Sequence, residues 1–369
     1  MKPWLPSLAL LLTASAAAVL AAPDIAPRPG SVAALSNMPM ARAAHSASLL
    51  KDGRVLIAGG CIATGCEEGI TNTALLFNPK TERFSSTGSL REARVGHREV
   101  PLLDGSILII GGWARDGATA NIERFDPATG RFSIHGQLLE ARDGFSATPL
   151  RDGTILIAGG YAGAMQRKAS AEIYDPRTRR STAINDMDSP RMAHTATLLP
   201  DGRVLIAGGS SRRGSLSDTI EIFDPATRTF SNAGRLHRAR HKHAAIRIGD
   251  DVLIIGGAGV DEYTAQFSDT ELWRNDSKRT QPGPSMGDGR YKFLDSVVAL
   301  GDGTALVAGS GRVPERLRTS SMKFEPVRGD LGSEFSFTTA TRLTDGRVLL
   351  VGGYDPHVQV TRKAWLFNP

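Results

Sequence analysis

The stretch DGRVLIAGG at residues 52–60 returns unchanged at residues 201–209, and near copies lie at 104–112, 152–160 and 345–353. Asp-Gly between two apolar segments is a strong hairpin signal, because glycine adopts the positive φ that a type I′ turn requires. The apolar run that follows is continuous rather than alternating, which predicts a strand covered on both faces. One chain therefore carries the same hairpin and the same buried strand several times.

The repeat extends over most of the chain. The first glycines of successive Gly-Gly pairs, 43 to 53 residues apart, are Gly59, Gly111, Gly159, Gly208, Gly256, Gly309 and Gly352, the sixth in the degenerate LVAGSG. This spacing is typical of a four-stranded propeller blade. Each unit also carries a second turn, such as FNPKT at 77–81 or FDPAT at 125–129, where proline fixes φ and Asp or Asn bonds its own backbone. We name the four predicted strands of a unit a to d.

Nearly all of residues 22–369 resembles the kelch repeat family. The resemblance rests on the glycine pair, the Asp-Pro turn with its preceding aromatic residue, and an arginine ahead of strand a. The resemblance implies an all-β propeller, and the seven glycine-pair units predict seven blades. The last unit ends in strand c with KAWLFNP at 363–369. Residues 31–42 align without gaps on residues 83–94, the outer strand and linker of the first unit, so we expect the N-terminal segment to close the ring. A six-bladed ring with decoration is the alternative, favoured by the weak sixth unit.

The N-terminus has the features of an export signal. Lys2 precedes a short apolar stretch at 5–20, and small residues suit cleavage after Ala21. We therefore expect a signal peptide at 1–21, a single propeller domain at 22–369, no membrane span, and a periplasmic or secreted monomer. In an oxidising compartment, Cys61 and Cys66, the two cysteines of the chain, are expected to form a disulfide; a reduced or redox-active pair is the alternative.

Composition and motifs exclude several function classes. The net charge of +6 is spread along the chain, without the dense basic cluster that nucleic-acid binding requires. There is no nucleophile elbow, P-loop or dinucleotide fingerprint, and each Gly-Gly pair ends a strand without opening a helix. We expect no cofactor. Catalytic residues stay unassigned, and whether the protein is an enzyme stays open.

Two sets of residues point to the face that carries the b–c loops and the d–a linkers. The first set consists of the arginines ahead of strand a, Arg42, Arg94, Arg142, Arg191, Arg240 and Arg290. The kelch resemblance implies that arginines at this place line the axial channel mouth, where their forks suit carboxylate or phosphate. The alternative is that they brace neighbouring blades through loop carbonyls. The second set follows the glycine pairs: Trp113, Tyr161 and Tyr354 offer flat surfaces for a ligand or cover the blade ends.

Histidines recur three positions after the arginines, as His45, His97, His194 and His243. Imidazole is a common metal ligand, but Phe145 and Phe293 hold the same place in other units, which favours a plain packing role. We therefore predict no metal site.

Two function hypotheses remain. The first is an exported, non-catalytic module that binds an anionic ligand, an acidic peptide or a sugar, on the loop face. The second is a carbohydrate-acting enzyme similar to the periplasmic kelch mutarotases, which require only a positioned acid and base near an anion site. Kelch copper-radical oxidases are similar in the propeller alone: they need a tyrosine cross-linked to a cysteine and a further ligand-bearing domain, whereas both cysteines here fall in one loop. A buried pocket that contains a carboxylate with a raised pKa favours the enzyme, and an open, shallow, arginine-lined face favours the binding module.

Overall fold

The computed structural model describes residues 29–66, 69–163, 166–211, 215–260 and 266–369. The predicted signal peptide lies outside the described residues. Seven four-stranded antiparallel sheets form a seven-bladed propeller, so the six-blade alternative is wrong. Among the described residues, no helix is long and apolar enough to cross a membrane.

Each blade has four strands in the order a, b, c and d from its inner to its outer edge. Blade 1 consists of Ser46–Leu49, Val55–Ala58, Ala74–Asn78 and Arg83–Ser86. Blade 2 consists of Arg98–Pro101, Ile107–Ile110, Asn121–Asp126 and Arg131–Gln137. Blade 3 consists of Ser146–Pro149, Ile155–Ala158, Ala171–Asp175 and Arg180–Ala183. Blade 4 consists of Thr195–Leu198, Val204–Ala207, Thr219–Asp224 and Thr229–Arg235.

The remaining blades follow the same plan. Blade 5 consists of Ala244–Ile248, Asp251–Ile255, Thr270–Arg274 and Arg279–Pro282. Blade 6 consists of Val297–Ala299, Thr304–Val307, Glu315–Arg318 and Lys323–Pro326. Blade 7 takes Thr339–Arg342, Val348–Val351 and Ala364–Asn368 from the C-terminus and Ser31–Ala34 from the N-terminus. Outside the blades lie a small ribbon, Trp113–Ala114 with Gly117–Ala118, and the 3-10 turns Thr64–Cys66 and Leu294–Ser296.

The ring closes as predicted. Ser31–Ala34 pairs antiparallel with Ala364–Asn368, from Ser31 opposite Asn368 to Ala34 opposite Trp365. The regular strand covers only the first part of the aligned segment 31–42, but the N–H groups of Leu35 and Met38 still donate to the carbonyls of Ala364 and Arg362, both at 2.8 Å. Because the outer strand comes from the opposite end of the chain, the two termini hold each other in one sheet, and the outer edge of the strand Ala364–Asn368 is covered.

The apolar core lies between the blades rather than inside them. Seven separate clusters of buried side chains each join two neighbouring blades. Every residue of the b strand Val55–Ala58 is buried, and the same holds for Val204–Ala207. The repeated VLIA run is therefore a buried strand, as predicted, and its two faces pack against two different neighbouring blades.

The glycine pairs permit close contact between blades. Gly59 and Gly60 have φ values of 63° and 95°. A Cβ on Gly59 would lie 2.8 Å from the carbonyl oxygen of Arg94 in the next blade, and one on Gly60 would lie 2.6 Å from that of Ala43. The N–H of Gly60 donates to the Arg94 carbonyl at 2.9 Å. Both the φ values and the lack of space require glycine here.

The predicted disulfide is present. Cys61 and Cys66 are bonded to each other across the b–c loop of blade 1, and the described residues contain no free cysteine. Cys61 is buried, whereas Cys66 lies at the mouth of the axial channel. The disulfide therefore fixes one loop on the face that carries the candidate site.

Candidate functional site

The six repeated arginines are buried, so the prediction that they line an open channel mouth is wrong. At most 1% of each residue is exposed, in the set Arg42, Arg94, Arg142, Arg191, Arg240 and Arg290. Arg191 Nη1 donates to the carbonyl oxygens of Gly208 at 2.9 Å and of Thr219 at 3.1 Å. The bracing alternative is what the structure has. A guanidinium group can satisfy several buried strand-end carbonyls at once because it carries five N–H donors.

A glutamate in strand c pairs with the arginine in blades 2 to 6. These buried pairs are Arg94–Glu123, Arg142–Glu172, Arg191–Glu221, Arg240–Glu271 and Arg290–Glu315. Each glutamate also accepts a backbone N–H from the d–a linker; Glu123 Oε2, for example, accepts from Arg91 at 2.7 Å. Each arginine–glutamate pair therefore connects a d–a linker, the end of strand b and strand c. Sequence reasoning missed the glutamates, although one recurs in strand c of five units.

The histidines form packing contacts between first strands. His97 Nε2 lies 3.0 Å from the hydroxyl of Ser46, and His194 Nε2 lies 2.9 Å from that of Ser146. Burial, with a contribution from Arg94, lowers the pKa of His97 to about 3. The pKa of His194 falls well below its ordinary value for the same reason, burial, with Arg191 contributing. Neutral, buried rings of this kind join neighbouring blades. Among the described residues, no three or more His, Cys, Asp or Glu side chains are grouped to hold a metal ion.

A ring of left-handed residues surrounds the channel mouth. The residue two places after each arginine position has a positive φ of 49° to 67°, in the set Ala44, Gly96, Gly144, Ala193, Lys242, Lys292 and Phe337. Neighbouring members are linked by backbone hydrogen bonds, such as Lys292 N–H to the Lys242 carbonyl at 3.1 Å and Phe337 N–H to the Lys292 carbonyl at 2.7 Å. The ring positions its side chains around the axis.

The ring is chemically one-sided. Blades 1 to 4 contribute only glycine or alanine, whereas blades 5 to 7 contribute Lys242, Lys292 and Phe337. A positive φ is costly for residues with a side chain, and such strain concentrates at functional sites. Lys242 Nζ donates to the Tyr291 hydroxyl at 2.7 Å, and Lys292 Nζ lies 4.7 Å from the centre of the same ring. The two lysines thus share one aromatic neighbour.

These side chains line a mouth cavity of about 300 Å³, together with Arg98, Asp143 and Tyr354. Of the aromatic residues predicted to bind ligand, Tyr354 is the one in this wall; its ring lies 5.6 Å from the centre of Phe337. Trp113 and Tyr161 stack on each other at 5.5 Å. Burial raises the pKa of Asp143 to about 6, although the Gly144 N–H and the Tyr161 hydroxyl donate to its carboxylate.

A second, axial cavity of about 360 Å³ lies among the first strands. Each of the seven blades contributes the same repeat position to its wall, namely the residue five places after the arginine position. That residue is alanine in five blades, at Ala47, Ala147, Ala196, Ala245 and Ala340, and a carboxylate in two, Glu99 and Asp295. Arg98 Nη1 lies 3.5 Å from Asp295 Oδ2, and both residues line the mouth as well. Sequence alignment of the units shows two acids in a column of alanines, a signal that was available but overlooked.

The environment of Glu99 favours its neutral form. Burial raises the pKa of Glu99 to about 7, and the negative charge of Asp295 adds to this; the nearby Ser48 and Ser46 hydroxyls offset only part of it. Glu99 Oε2 is shielded from solvent without a well-formed hydrogen bond to any described residue. The axial cavity therefore contains a carboxyl group that exchanges its proton near neutral pH.

Comparison with known proteins bears on the fold and the family. Kelch motif models match residues 146–188 and 190–237, which correspond closely to blades 3 and 4. The chain is a kelch-repeat propeller. The kelch propeller fold suggests a binding or interaction module, and kelch propellers commonly bind proteins.

One similar solved structure is a fungal alcohol oxidase of the AA5 family in complex with copper. It is 16% identical, with a TM-score of 0.70, over 93% of this chain and 76% of that one. At this identity the similarity shows the fold alone. In this propeller both cysteines are joined in a disulfide, so neither is available for the tyrosine cross-link expected of a copper-radical oxidase. No curated protein sequence matches the chain.

Proposed function

We propose that this kelch propeller is an exported, non-catalytic binding module that recognises an anionic ligand, an acidic peptide or an acidic sugar, at the mouth of its axial channel. The observation that carries the proposal is the one-sided ring: Lys242 and Lys292 are adjacent members of the mouth wall and keep costly left-handed conformations. Arg98 adds a third cation to the same wall.

The charge of the mouth supports an anion. Arg98, Lys242 and Lys292 face the carboxyl groups of Asp143 and Asp295 in this cavity. Because the pKa of Asp143 is raised to about 6, this acid is partly protonated in mildly acidic solution and opposes an anion less there. Among the described residues of this wall the cations outnumber the carboxyl groups, and a concave wall of that composition focuses an attractive potential on an anion. The disulfide, typical of oxidising compartments, supports export.

Aromatic rings supply the remaining contact surface. Phe337 and Tyr354 border the two lysines, and Lys292 Nζ lies 5.6 Å from the centre of the Tyr354 ring. Such rings suit the apolar face of a sugar or the side chains of a peptide. We place Trp113 and Tyr161, stacked on the loop face, at the edge of the same site.

The test is a thermal-shift screen of the mature protein against sialic acid, glucuronic acid and a poly-glutamate peptide. We expect a stabilising shift with at least one acidic probe, and weaker binding as salt rises, because salt screens exposed charges. The double variant K242A/K292A should abolish the shift; alanine already holds the same ring position at Ala44 and Ala193. The control K80A/K323A removes two exposed lysines elsewhere and should keep it. Equal shifts in both variants would contradict the proposal.

A second candidate function is an isomerase of the mutarotase kind, which Glu99 favours. A carboxyl group with a pKa of about 7 suits general acid–base catalysis at neutral pH. Mutarotation requires proton transfer at the ring oxygen and at the anomeric hydroxyl of a sugar. Magnetisation exchange between the anomers of glucuronic acid, measured by NMR, tests this function. Faster exchange with the wild type than with E99Q supports catalysis, and equal rates contradict it.

A further inference from the structure

The axial cavity differs from the mouth in chemistry. Five of its seven equivalent wall positions are alanine, which leaves room at the axis, and the other two are the carboxyl-bearing Glu99 and Asp295. Its volume of about 360 Å³ is at the lower end of the range for ligand pockets. The wall is otherwise rich in hydroxyl groups, including those of Ser46, Thr148 and Thr197.

The charge balance of this cavity is negative once Glu99 is ionised. Arg98 offsets one carboxylate through its contact with Asp295, at 3.5 Å. His45, His97 and His194 also line the cavity, but burial and the neighbouring arginines hold their pKa values far below the ordinary range, so they stay neutral. One negative charge from the described residues is then left without a partner.

The hydrogen bonds of the Glu99 carboxyl group are incomplete. Glu99 Oε2 is shielded from solvent and receives no well-formed hydrogen bond from the described residues. The neighbouring Ser48 and Ser46 hydroxyls lie close enough to Glu99 to lower its pKa in part, but they do not complete the hydrogen bonds of its carboxyl group. A ligand that brings N–H donors and a positive charge therefore complements the carboxyl groups of this wall. An ammonium group carries three N–H donors and no acceptor, and its hydrogen bonds to carboxylates are among the strong ones in proteins.

We propose that the axial cavity binds a small organic amine, with its ammonium group between the carboxylates of Glu99 and Asp295. This inference goes beyond the anion site at the mouth and does not depend on it. A ligand that carries both an ammonium and an anionic group would occupy the two cavities together.

Binding of an amine by this cavity is coupled to a proton. Glu99 must ionise before it can pair with the ammonium group, and its pKa of about 7 means that roughly a tenth of the molecules are competent at pH 6 and most at pH 8. Arg98, Asp295 and the three neutral histidines are the other titratable groups in the wall. We therefore expect affinity to rise about ten-fold over this range, with release of a proton on binding.

The experiment compares ethanolamine with ethylene glycol, which replaces the ammonium group by a hydroxyl. Titration of the mature protein, followed by NMR at pH 6 and pH 8, should show ethanolamine binding that strengthens with pH and no comparable binding of the glycol. E99Q should weaken ethanolamine binding at pH 8 about ten-fold and remove its pH dependence, while K242A/K292A should leave both unchanged. Equal binding of the two probes, no binding of either, or an unchanged pH profile in E99Q would overturn the proposal.

The two proposals fail separately. Loss of acidic-probe binding in K242A/K292A with ethanolamine binding intact is expected if both hold. An ethanolamine site that persists when no acidic probe binds would contradict only the mouth proposal. Anomer exchange that depends on Glu99, without amine binding, would overturn the amine site in favour of the isomerase.

Discussion

Blades 2 to 6 and the closing pair, blades 7 and 1, solve the same packing problem differently. In blades 2 to 6 a buried arginine meets a buried glutamate, as in Arg191 with Glu221. In blade 7 the two positions hold Phe335 and Trp365, whose rings lie 5.4 Å apart. Blade 1 keeps Arg42 but has Leu75 in place of the glutamate. These two positions thus hold an ion pair, an aromatic pair, or a guanidinium group without a carboxylate partner. This variation indicates a role in packing rather than in ligand binding.

The lone arginine has a measurable consequence. Burial lowers the pKa of Arg42 to about 10, with no carboxylate to oppose the effect. For Arg94 burial also lowers the pKa, but Glu123 and Glu92 counteract part of the shift. Arg42 is held instead by the Gly59 carbonyl at 3.0 Å and by the Thr73 carbonyl and hydroxyl, both at 3.2 Å. The closing region therefore depends more on the strand from the N-terminus than on charge.

The largest expected effect follows from that difference. Starting the chain at Met38 removes Ser31–Ala34 and uncovers both the strand Ala364–Asn368 and part of the cluster that contains Trp365. We expect a loss of several kcal/mol in the free energy of unfolding, because a sheet edge and apolar surface become exposed. Chemical denaturation of the shortened and the mature protein measures the loss. Equal midpoints would show that the ring does not need the N-terminal strand.

The next effect compares arginines with and without a glutamate. R191M leaves the buried Glu221 carboxylate unpaired, which should cost about 3–5 kcal/mol. R42M is the matched control: no carboxylate is left behind, and the lost hydrogen bonds should cost about 1–2 kcal/mol. Urea denaturation of both variants provides the comparison. If R42M destabilises as much as R191M, the distinction between the two regions fails.

Glu99 extends the comparison to a partly buried acid outside the arginine pairs. Its pKa is raised from 4.5 to about 7, so the folded state holds a proton that the unfolded state releases between these values. Its contribution is therefore present below pH 4.5 and is lost as pH rises through 7, by about 3 kcal/mol. Asp143, with a pKa raised to about 6, acts in the same direction.

E99Q should remove the part of this pH dependence that comes from Glu99. We expect E99Q to be more stable than the wild type at pH 8 and similar to it at pH 4.5, as measured by thermal unfolding across the range. If the difference in stability between the wild type and E99Q is the same at every pH, the assignment of the raised pKa to Glu99 is contradicted.

The smallest effect concerns the loop disulfide. C61S/C66S opens a loop of a few residues, so the loss should be about 2 kcal/mol or less before any change in strain. Because Cys66 lies in the mouth wall, the affinity for the acidic probe should change measurably, whereas the melting temperature should change little. Thiol titration of protein from an oxidising compartment gives an independent check: two free thiols would contradict the disulfide.

The fold could be predicted from the sequence because every blade carries the same local turn and strand signals. The Asp-Gly turn, the VLIA strand and the Gly-Gly pair act locally, so ring size and closure followed from spacing and alignment. The arginines were placed correctly along the chain but wrongly with respect to solvent. Their exposure depends on partners such as Glu221, which are distant in sequence.

The candidate site was harder to predict for a related reason. Its features are departures from the repeat, Lys242 and Lys292 in a ring of small residues and Glu99 in a column of alanines. Motif reasoning weighs what repeats, whereas binding groups on a symmetric scaffold are found where the symmetry breaks. Aligning the units position by position, rather than looking for known motifs, shows these departures.

One measurement tests directly whether the arginines stabilise the fold while the lysines bind the proposed ligand. Thermal unfolding of the wild type, K242A/K292A and R94A/R191A is recorded with and without the acidic probe that gives the largest shift. We predict that the lysine variant melts near the wild type and loses the probe-induced shift, whereas the arginine variant melts at a clearly lower temperature without probe. A lysine variant that keeps the full shift, or an arginine variant that loses it with an unchanged melting temperature, would contradict the account.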